Sequence, residues 1–353
     1  MVEWKKLGDL CEIGTGSNNR EDACENGSYP FFVRSKEVLR INTYLFDEEA
    51  ILIPGEGGVG EIFHYIKGKY GLHQRTYRVH PKSNDVIGKF IYYYLFENFG
   101  QYINRKSFKS TATSIRKPML IDFLIPIPSF DEQKRIVGIL DTFTDSIENL
   151  KQQIAQRRKQ YEFYRDQLLF SLKQNAIVSE VSTFAKGRID AKCLNADNYV
   201  SVENLLKDKA GKTISSVVPT EGNWVMYKEN DILIGNIRPY LRKIWFSDRC
   251  GGTNGDVLVI RPNEKVIPRF LFFVLSSERF FIYYNQTAKG GKMPRGEKAR
   301  VLQFDFYLPS TKEQSRIVSI LDTFEASISN LEAQLVQRQK QYEYYRSKLL
   351  TFE

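Results

Sequence analysis

The chain has 353 residues, 42% hydrophobic and 26% charged, so it is too rich in Phe, Tyr and Ile for a disordered protein and too long for one core to serve comfortably. Two domains are expected, and a net charge of +9 with a pI near 9.1 favours a polyanionic partner, because each Lys or Arg set against a phosphate releases a counterion. Cys11, Cys24, Cys193 and Cys250 form no C-x-x-C pair, which argues against a zinc knuckle or a dense disulfide framework and for mostly packed thiols. Residues 1–10 lack an apolar signal core and the longest apolar runs are too short to span a bilayer, so no membrane role and a cytoplasmic location are expected.

In chain order, residues 1–128 read as a head of mixed α/β pattern. Short apolar strands are expected at 50–53 and 76–79, and an aromatic-rich helix at 90–102. The intervening loops carry side chains suited to base edges and phosphates: Asn18, Asn19, Arg20, Arg34 and Lys36; His73, Gln74 and Arg75; Lys106, Lys109, Ser110 and Thr113. Arg grips guanine, and Asn or Gln grips adenine, through paired hydrogen bonds in the major groove. A solvated surface group competes with a base contact at each position, and for the lysines a phosphate contact is the stronger reading.

Residues 129–173 read as one long helix. Ile136, Leu140, Phe143, Ile147, Leu150 and Ile154 alternate spacings of four and three, and the frame continues through Arg157, Tyr161, Tyr164 and Leu168. Such a seam is that of a coiled coil. Arg157 occupies a seam position, where the expected solution is a packed stem with its head snorkelling to solvent. Ser129 is placed to cap the helix, with Asp131 and Glu132 in its first turn.

Residues 174–308 form a second head, with strands expected at 231–234 and 257–260 and a helical stretch at 270–284. Its candidate DNA contacts are a different set: Lys186, Arg188, Asn236, Arg238, Arg242, Asn254, Lys289, Lys292 and Arg295. Residues 309–353 then repeat the helix, with Ile317, Leu321, Phe324, Ile328, Leu331, Leu335 and Tyr342 in the seam, Arg338 where Arg157 stood, and Ser310 as cap. The run PSFDEQKRIVGILDTF from Pro128 returns from Pro309 as PSTKEQSRIVSILDTF, an offset of 181. About two thirds of the paired positions between 128–169 and 309–350 are identical.

The offset extends upstream. Ile51-Leu52-Ile53 pairs with Ile232-Leu233-Ile234, Gly71 with Gly252 and Pro81 with Pro262, while Val86-Ile87 and Phe90 match Val266-Ile267 and Phe270 with one residue less. The chain is therefore two copies of one unit. Residues 18–36 and 55–71 have no close counterpart, so the helices stayed alike while the heads diverged. A helix with such a stripe cannot bury it alone, and the economical partner is the other copy, packed antiparallel because a head lies between them. That arrangement places the heads at opposite ends of a rod, with helix length setting the distance between them.

Catalytic signals fail on inspection. Gly55-Glu56-Gly57-Gly58-Val59-Gly60 fits G-x-G-x-x-G after a strand, but the following EIFHYIKGKY reads as strand, so no helix N-terminus awaits a pyrophosphate. Gly211-Lys212-Thr213 resembles the end of a P-loop, yet Leu206 stands where that loop needs glycine. Asn236-Ile237-Arg238-Pro239-Tyr240 is faintly similar to the N-P-P-Y of amino-methyltransferases, but Arg238 and the lack of a preceding cofactor-binding unit argue against that role. His64, His73 and His80 show no metal-ligand spacing.

The paired E-Q-x-R-I-V-x-I-L-D-T-F segments (Glu132 to Phe143, Glu313 to Phe324), each ending in Q-Y-E-x-Y-R-x-x-L-L, resemble the specificity subunit of type I restriction-modification systems over essentially the whole chain. The resemblance implies an α+β protein: two α/β target recognition domains joined by two long helices in an antiparallel coiled coil, with an internal pseudo-twofold repeat. It implies double-stranded DNA as ligand, two modification (methyltransferase) subunits and restriction subunits as partners, and no cofactor in this chain. S-adenosylmethionine, ATP and Mg2+ would belong to those partners. A single-chain methyltransferase or nuclease is the competing class, and a purely structural coiled-coil protein is a third, which leaves the divergent heads unexplained.

Overall fold

The computed structural model describes residues 2–58, 60–106, 114–286 and 288–352. Lys109, Ser110 and Thr113, named above as candidate contacts, lie outside the described residues, as does the side chain of Lys106.

The first head opens with β1 (Glu3–Lys6), one helical turn and β2 (Cys11–Thr15), followed by β3 (Tyr29–Phe32), β4 (Val38–Ile41), β5 (Phe46–Pro54), β6 (His64–Leu72), β7 (Thr76–Pro81) and β8 (Leu124–Ile127). Strands β2 to β7 make one sheet in the order β2-β7-β5-β6-β3-β4, antiparallel except where β3 runs parallel to β6, and β1 pairs with β8 beside it. The expected strand after the glycine run begins at His64, not Glu61, because residues 60–63 are taken up by the turn. Helix Gly88–Lys106 covers the sheet, and Phe90, Ile91, Leu95 and Phe99 bury against Ile51, Ile53 and Val79.

The second head repeats the plan with β9 (Ala176–Ile177), β10 (Ser182–Phe184), β11 (Arg188–Asp190), β12 (Tyr199–Val200), β13 (Asn223–Tyr227), β14 (Ile232–Gly235), β15 (Ile244–Phe246), β16 (Gly251–Thr253), β17 (Val257–Pro262) and β18 (Asp305–Phe306). Its strands form sheets in the orders β10-β17-β14-β15 and β11-β13-β16-β12, with β9 on β18. Register follows the repeat: Ile51 faces Val79 and Ile232 faces Ile260, each pair displaced by 181. The glycine pair of the repeat also corresponds in structure. Gly71 sits in the parallel pairing of β3 with β6 and Gly252 in that of β12 with β16. A Cβ at Gly71 would meet Ile41 Cγ2 at 2.8 Å and one at Gly252 would meet Ile189 Cγ2 at 2.9 Å, so close packing excludes a side chain at both.

The helical stretch expected at 270–284 is two helices, Pro268–Leu275 and Glu278–Gln286. The Ser276 and Ser277 hydroxyls donate to the Phe273 and Val274 carbonyls, and Ser277 Oγ accepts the Phe280 N–H, so the serine pair ends one helix and caps the next. The apolar periodicity runs straight through and hides the break.

The long helices span Phe130–Phe170 and Thr311–Leu349, 41 and 39 residues, or roughly 60 Å each at 1.5 Å per residue. Ser129 Oγ accepts the Glu132 N–H and Ser310 Oγ the Glu313 N–H, the caps expected from sequence. The chain divides into a unit of residues 1–151 with 333–353 and a unit of residues 152–332, so each unit contains part of both helices.

Within each unit the helices pack antiparallel. In the first, Phe143 stacks on Tyr345 with centroids 5.4 Å apart and lies under the Arg338 guanidinium at 5.7 Å; in the second, Phe324 stacks on Tyr164 at 5.6 Å and lies under Arg157 at 5.9 Å. The two seam arginines therefore cap an aromatic ring of the facing helix, where snorkelling to solvent was expected. Ile136, Leu140, Leu150, Ile154, Ile317 and Leu321 are buried, while Phe143, Ile147, Tyr161, Phe324, Ile328, Leu331, Leu335 and Tyr342 are half-buried. Each helix also holds its own head: Lys89 and the Tyr93 hydroxyl bind Asp141 at 2.8 and 2.6 Å, and Arg269 binds Asp322 at 2.8 Å.

Cys11 is buried, and burial raises its thiol pKa to about 12; Cys24 is half-buried, whereas Cys193 and Cys250 are exposed, so packing accounts for only part of the cysteines. Among the described residues, no helix is long and apolar enough to cross a membrane.

Candidate nucleic-acid interface

Each head brings three loops together through the same main-chain frame. In the first, the Gly55 N–H donates to the Arg75 carbonyl at 2.9 Å, the Ile115 N–H donates to the Gly55 carbonyl at 2.7 Å, and Glu56 bridges Ser114. In the second, the Asn236 N–H donates to the Asp256 carbonyl at 2.8 Å, the Gly296 N–H donates to the Asn236 carbonyl at 3.0 Å, and Ile237 bridges Arg295. Every residue in this frame is displaced from its counterpart by 181. The loop after the central strand, the loop before the next core strand and the segment behind them thus converge identically, while their side chains differ: Glu56 against Ile237, Gly57 against Arg238, Arg75 against Asp256 and Ser114 against Arg295.

In the first head the frame gathers most of the candidates. Arg20, Arg34, Glu56 and His73 line a cavity of about 200 Å3. Arg34 Nη1 lies 3.0 Å and Arg75 Nη1 2.9 Å from Glu56 Oε2, so one carboxylate holds two guanidiniums. The hydrogen bond from Arg75, opposed by partial burial and helped by Arg34, keeps the Glu56 carboxyl below the usual carboxylate range. Burial and the charges of Arg34 and Arg75 lower the pKa of His73, whose Nδ1 accepts the Arg75 N–H at 3.0 Å. Gln74 Nε2 donates to Asn19 Oδ1 at 2.8 Å, and Asn18 ties its loop to Asp22 and the Leu72 N–H. Lys36 is exposed two residues beyond Arg34.

In the second head, Arg238, Asn254 and Arg295 line a cavity of about 580 Å3 with Tyr199, Lys243 and Asp256. Arg295 Nη2 lies 3.1 Å from Asp256 Oδ1. Arg238 adopts a left-handed backbone with φ of 52°, just before Pro239. Its Nε is buried without a hydrogen-bond partner among the described residues. Burial lowers the pKa of Lys243, whose ammonium donates to the Val202 carbonyl at 2.6 Å. Lys289 pairs its main chain with Arg295, and Lys292 is exposed in the intervening turn.

Four candidates stand elsewhere. Asn236 is 4% exposed and its amide oxygen accepts the buried Tyr284 hydroxyl at 2.5 Å, so this side chain serves the core. Arg242 pairs with Glu278 at 2.6 Å. Arg188 opens β11, the edge strand of a sheet whose opposite edge, β12, carries Tyr199, and Lys186 lies in the loop just before it. Glu56 and Asp256 were missed by sequence reasoning, which looked for cations and amides. The available signal was positional: Asp256 occupies the repeat position of Arg75, and Glu56 sits in the glycine run. There Gly57, Gly58 and Gly60 take positive φ to form a turn, and strand follows.

Among the described residues no group of three or more His, Cys, Asp or Glu is placed to hold a metal ion. The family model described as the type I restriction modification DNA specificity domain matches residues 1–157 and again 173–338. The chain is 24% identical to the type I restriction enzyme EcoDI specificity subunit of Escherichia coli, over 95% of this chain and 84% of that one. It is 26% identical to the putative type I restriction enzyme specificity subunit S.HindORF215P of Haemophilus influenzae, over 99% and 96%. In fold it is similar to the S subunit of the type I restriction-modification system from M. genitalium, with a TM-score of 0.67 at 16% identity covering 100% of this chain and 97% of that one. Two successive matches, together spanning nearly the whole chain and falling on the two copies of the internal repeat, establish that the chain belongs to the type I restriction-modification DNA specificity family.

Proposed function

We propose that this chain is the sequence-reading subunit of a type I restriction-modification complex, each head reading one half of a bipartite, asymmetric DNA site. The observation that carries the reading is the shared three-loop frame. One backbone arrangement presents Arg34, Arg75 and His73 in one head and Arg238, Asn254 and Arg295 in the other. Equal frames with unequal side chains suit two different half-sites, since base edges are discriminated by the donors and acceptors set against them. The long helices set the spacing of the half-sites and dock the methyltransferase subunits, with restriction subunits joining that assembly. In this reading methyl transfer from S-adenosylmethionine and ATP- and Mg2+-dependent cleavage fall to the partners, and the chain works in the cytoplasm beside the DNA.

The test is a head exchange read by selection from a randomised duplex library. Replacing residues 1–128 with the corresponding head of a relative should change one half of the enriched motif and leave the other half intact. Simultaneous change in both halves would overturn the one-head, one-half-site reading. Methyl transfer by the purified chain from labelled S-adenosylmethionine would return it to the enzyme class.

A further inference from the structure

Exposed ion pairs contribute little to stability, and a carboxylate on a surface meant for DNA repels phosphates. Glu56 is nevertheless built into the cation cluster of the first head, where it holds Arg34 and Arg75 at once. Asp256 holds Arg295 in the second head, at the frame position where the first head carries Arg75. The acid has changed loops between the copies while the pairing of a carboxylate with an arginine has been kept. Stability does not explain either pair. The arginine side chains are 43% exposed at Arg34, 57% at Arg75 and 61% at Arg295.

We propose that Glu56 and Asp256 are positioning residues for guanine recognition, fixing the guanidiniums of Arg34 and Arg75 in one head and of Arg295 in the other so that each offers a paired donor edge to a base. Glu56 engages Nη1 of Arg34 and Nη1 of Arg75, and Asp256 engages Nη2 of Arg295. The remaining N–H groups of each fork match the two acceptors, O6 and N7, that guanine displays in the major groove. An arginine left unheld spreads over many rotamers and finds phosphates and bases alike. Held by a carboxylate that lowers the net charge of the cluster, it loses attraction for backbone and keeps geometry for a base edge.

This inference rests on the DNA-reading role proposed above, and the experiment separates the two. The full chain and its Glu56→Gln, Asp256→Asn, Arg34→Ala, Arg75→Ala and Arg295→Ala variants are each taken through selection on a randomised duplex library. Their affinity for a 30-base-pair duplex of random sequence is measured in parallel. Arg34→Ala and Arg75→Ala should weaken guanine preference roughly tenfold or more at positions within one half-site, and Arg295→Ala should do so in the other half. Glu56→Gln should relax the same positions as the first two while binding the random duplex more tightly, the opposite sign from a variant that merely damages the fold. Asp256→Asn should do the same in the other half. A base preference unchanged in both carboxylate variants would overturn the proposal. So would loss of cytosine preference in Glu56→Gln, which would make the carboxylate itself a base contact, or a fall in affinity for specific and random duplexes alike. If the unaltered chain enriches no motif, the DNA-reading role fails and the inference with it.

Discussion

Gln133 and Gln314 show how a single side chain ties a helix to its head. Each is 1% exposed. Gln133 Oε1 accepts the Ile87 N–H at 2.9 Å and its Nε2 donates to the Pro128 carbonyl at 3.0 Å, while Gln314 makes the same bonds to Ile267 at 2.8 Å and Pro309 at 3.0 Å. The glutamine of the repeated E-Q-x-R motif is therefore a hook, and it was legible in sequence only as a repeated letter. Truncating it leaves a partly buried main-chain N–H without its acceptor, a deficit of about 1–3 kcal/mol. Gln133→Ala and Gln314→Ala should each destabilise their own unit by that amount in urea unfolding of the full chain. Losses below about 0.5 kcal/mol would show that the hook is replaceable by water. The candidate contacts fared unevenly for a related reason. Residue type flagged Arg34, Arg75, Arg238 and Arg295, which the loops do bring to the two cavities or to their carboxylates, but it could not show that Asn236 turns inward to Tyr284.

At the scale of elements, the coiled-coil frame was readable because a 3-4 alternation needs only neighbours along the chain. The aromatic boxes were not. Phe143 with Tyr345 and Arg338, and Phe324 with Tyr164 and Arg157, join residues 160 to 202 positions apart. Stacked rings contribute about 0.5–1.5 kcal/mol beyond their buried area. Replacing the ring by leucine keeps an apolar seam residue and removes the stack, so Phe143→Leu and Phe324→Leu should each lower stability by about 1 kcal/mol. Their partners are entirely different residues, so the losses should add in the double variant. A double variant much less stable than the sum, measured by thermal melts followed through helical circular dichroism, would show coupling through the helices that these contacts do not provide. Strand reading succeeded where apolar runs are short and central, as in β5, β7, β14 and β17, and helix reading failed at Ser276-Ser277, where hydroxyls and not periodicity end the helix.

For the whole molecule, the proposed spacing role predicts an effect of helix length on the DNA site. Deleting one heptad from both helices, residues 147–153 and 328–334, preserves the seam because seven residues restore its frame. It shortens each helix by about 10 Å at 1.5 Å per residue, equivalent to about 3 base pairs along a duplex. The enriched half-sites should keep their bases while the spacer between them shortens or binding is lost. A four-residue deletion breaks the frame and serves as the unfolding control. A folded heptad-deleted chain that still selects the original spacer at full affinity would refute the spacing role. The sequence alone settled the duplication, the seam, the central strands and the divergence of the heads, all of which rest on periodicity and self-comparison within one dimension. Tertiary structure decided which part of each helix groups with which head, and which loops meet. It also put Glu56 against Arg34 and Arg75, and Asp256 against Arg295. These pairings join residues 19 to 39 positions apart on separate loops, and only the pairing of the strands between them brings such loops together.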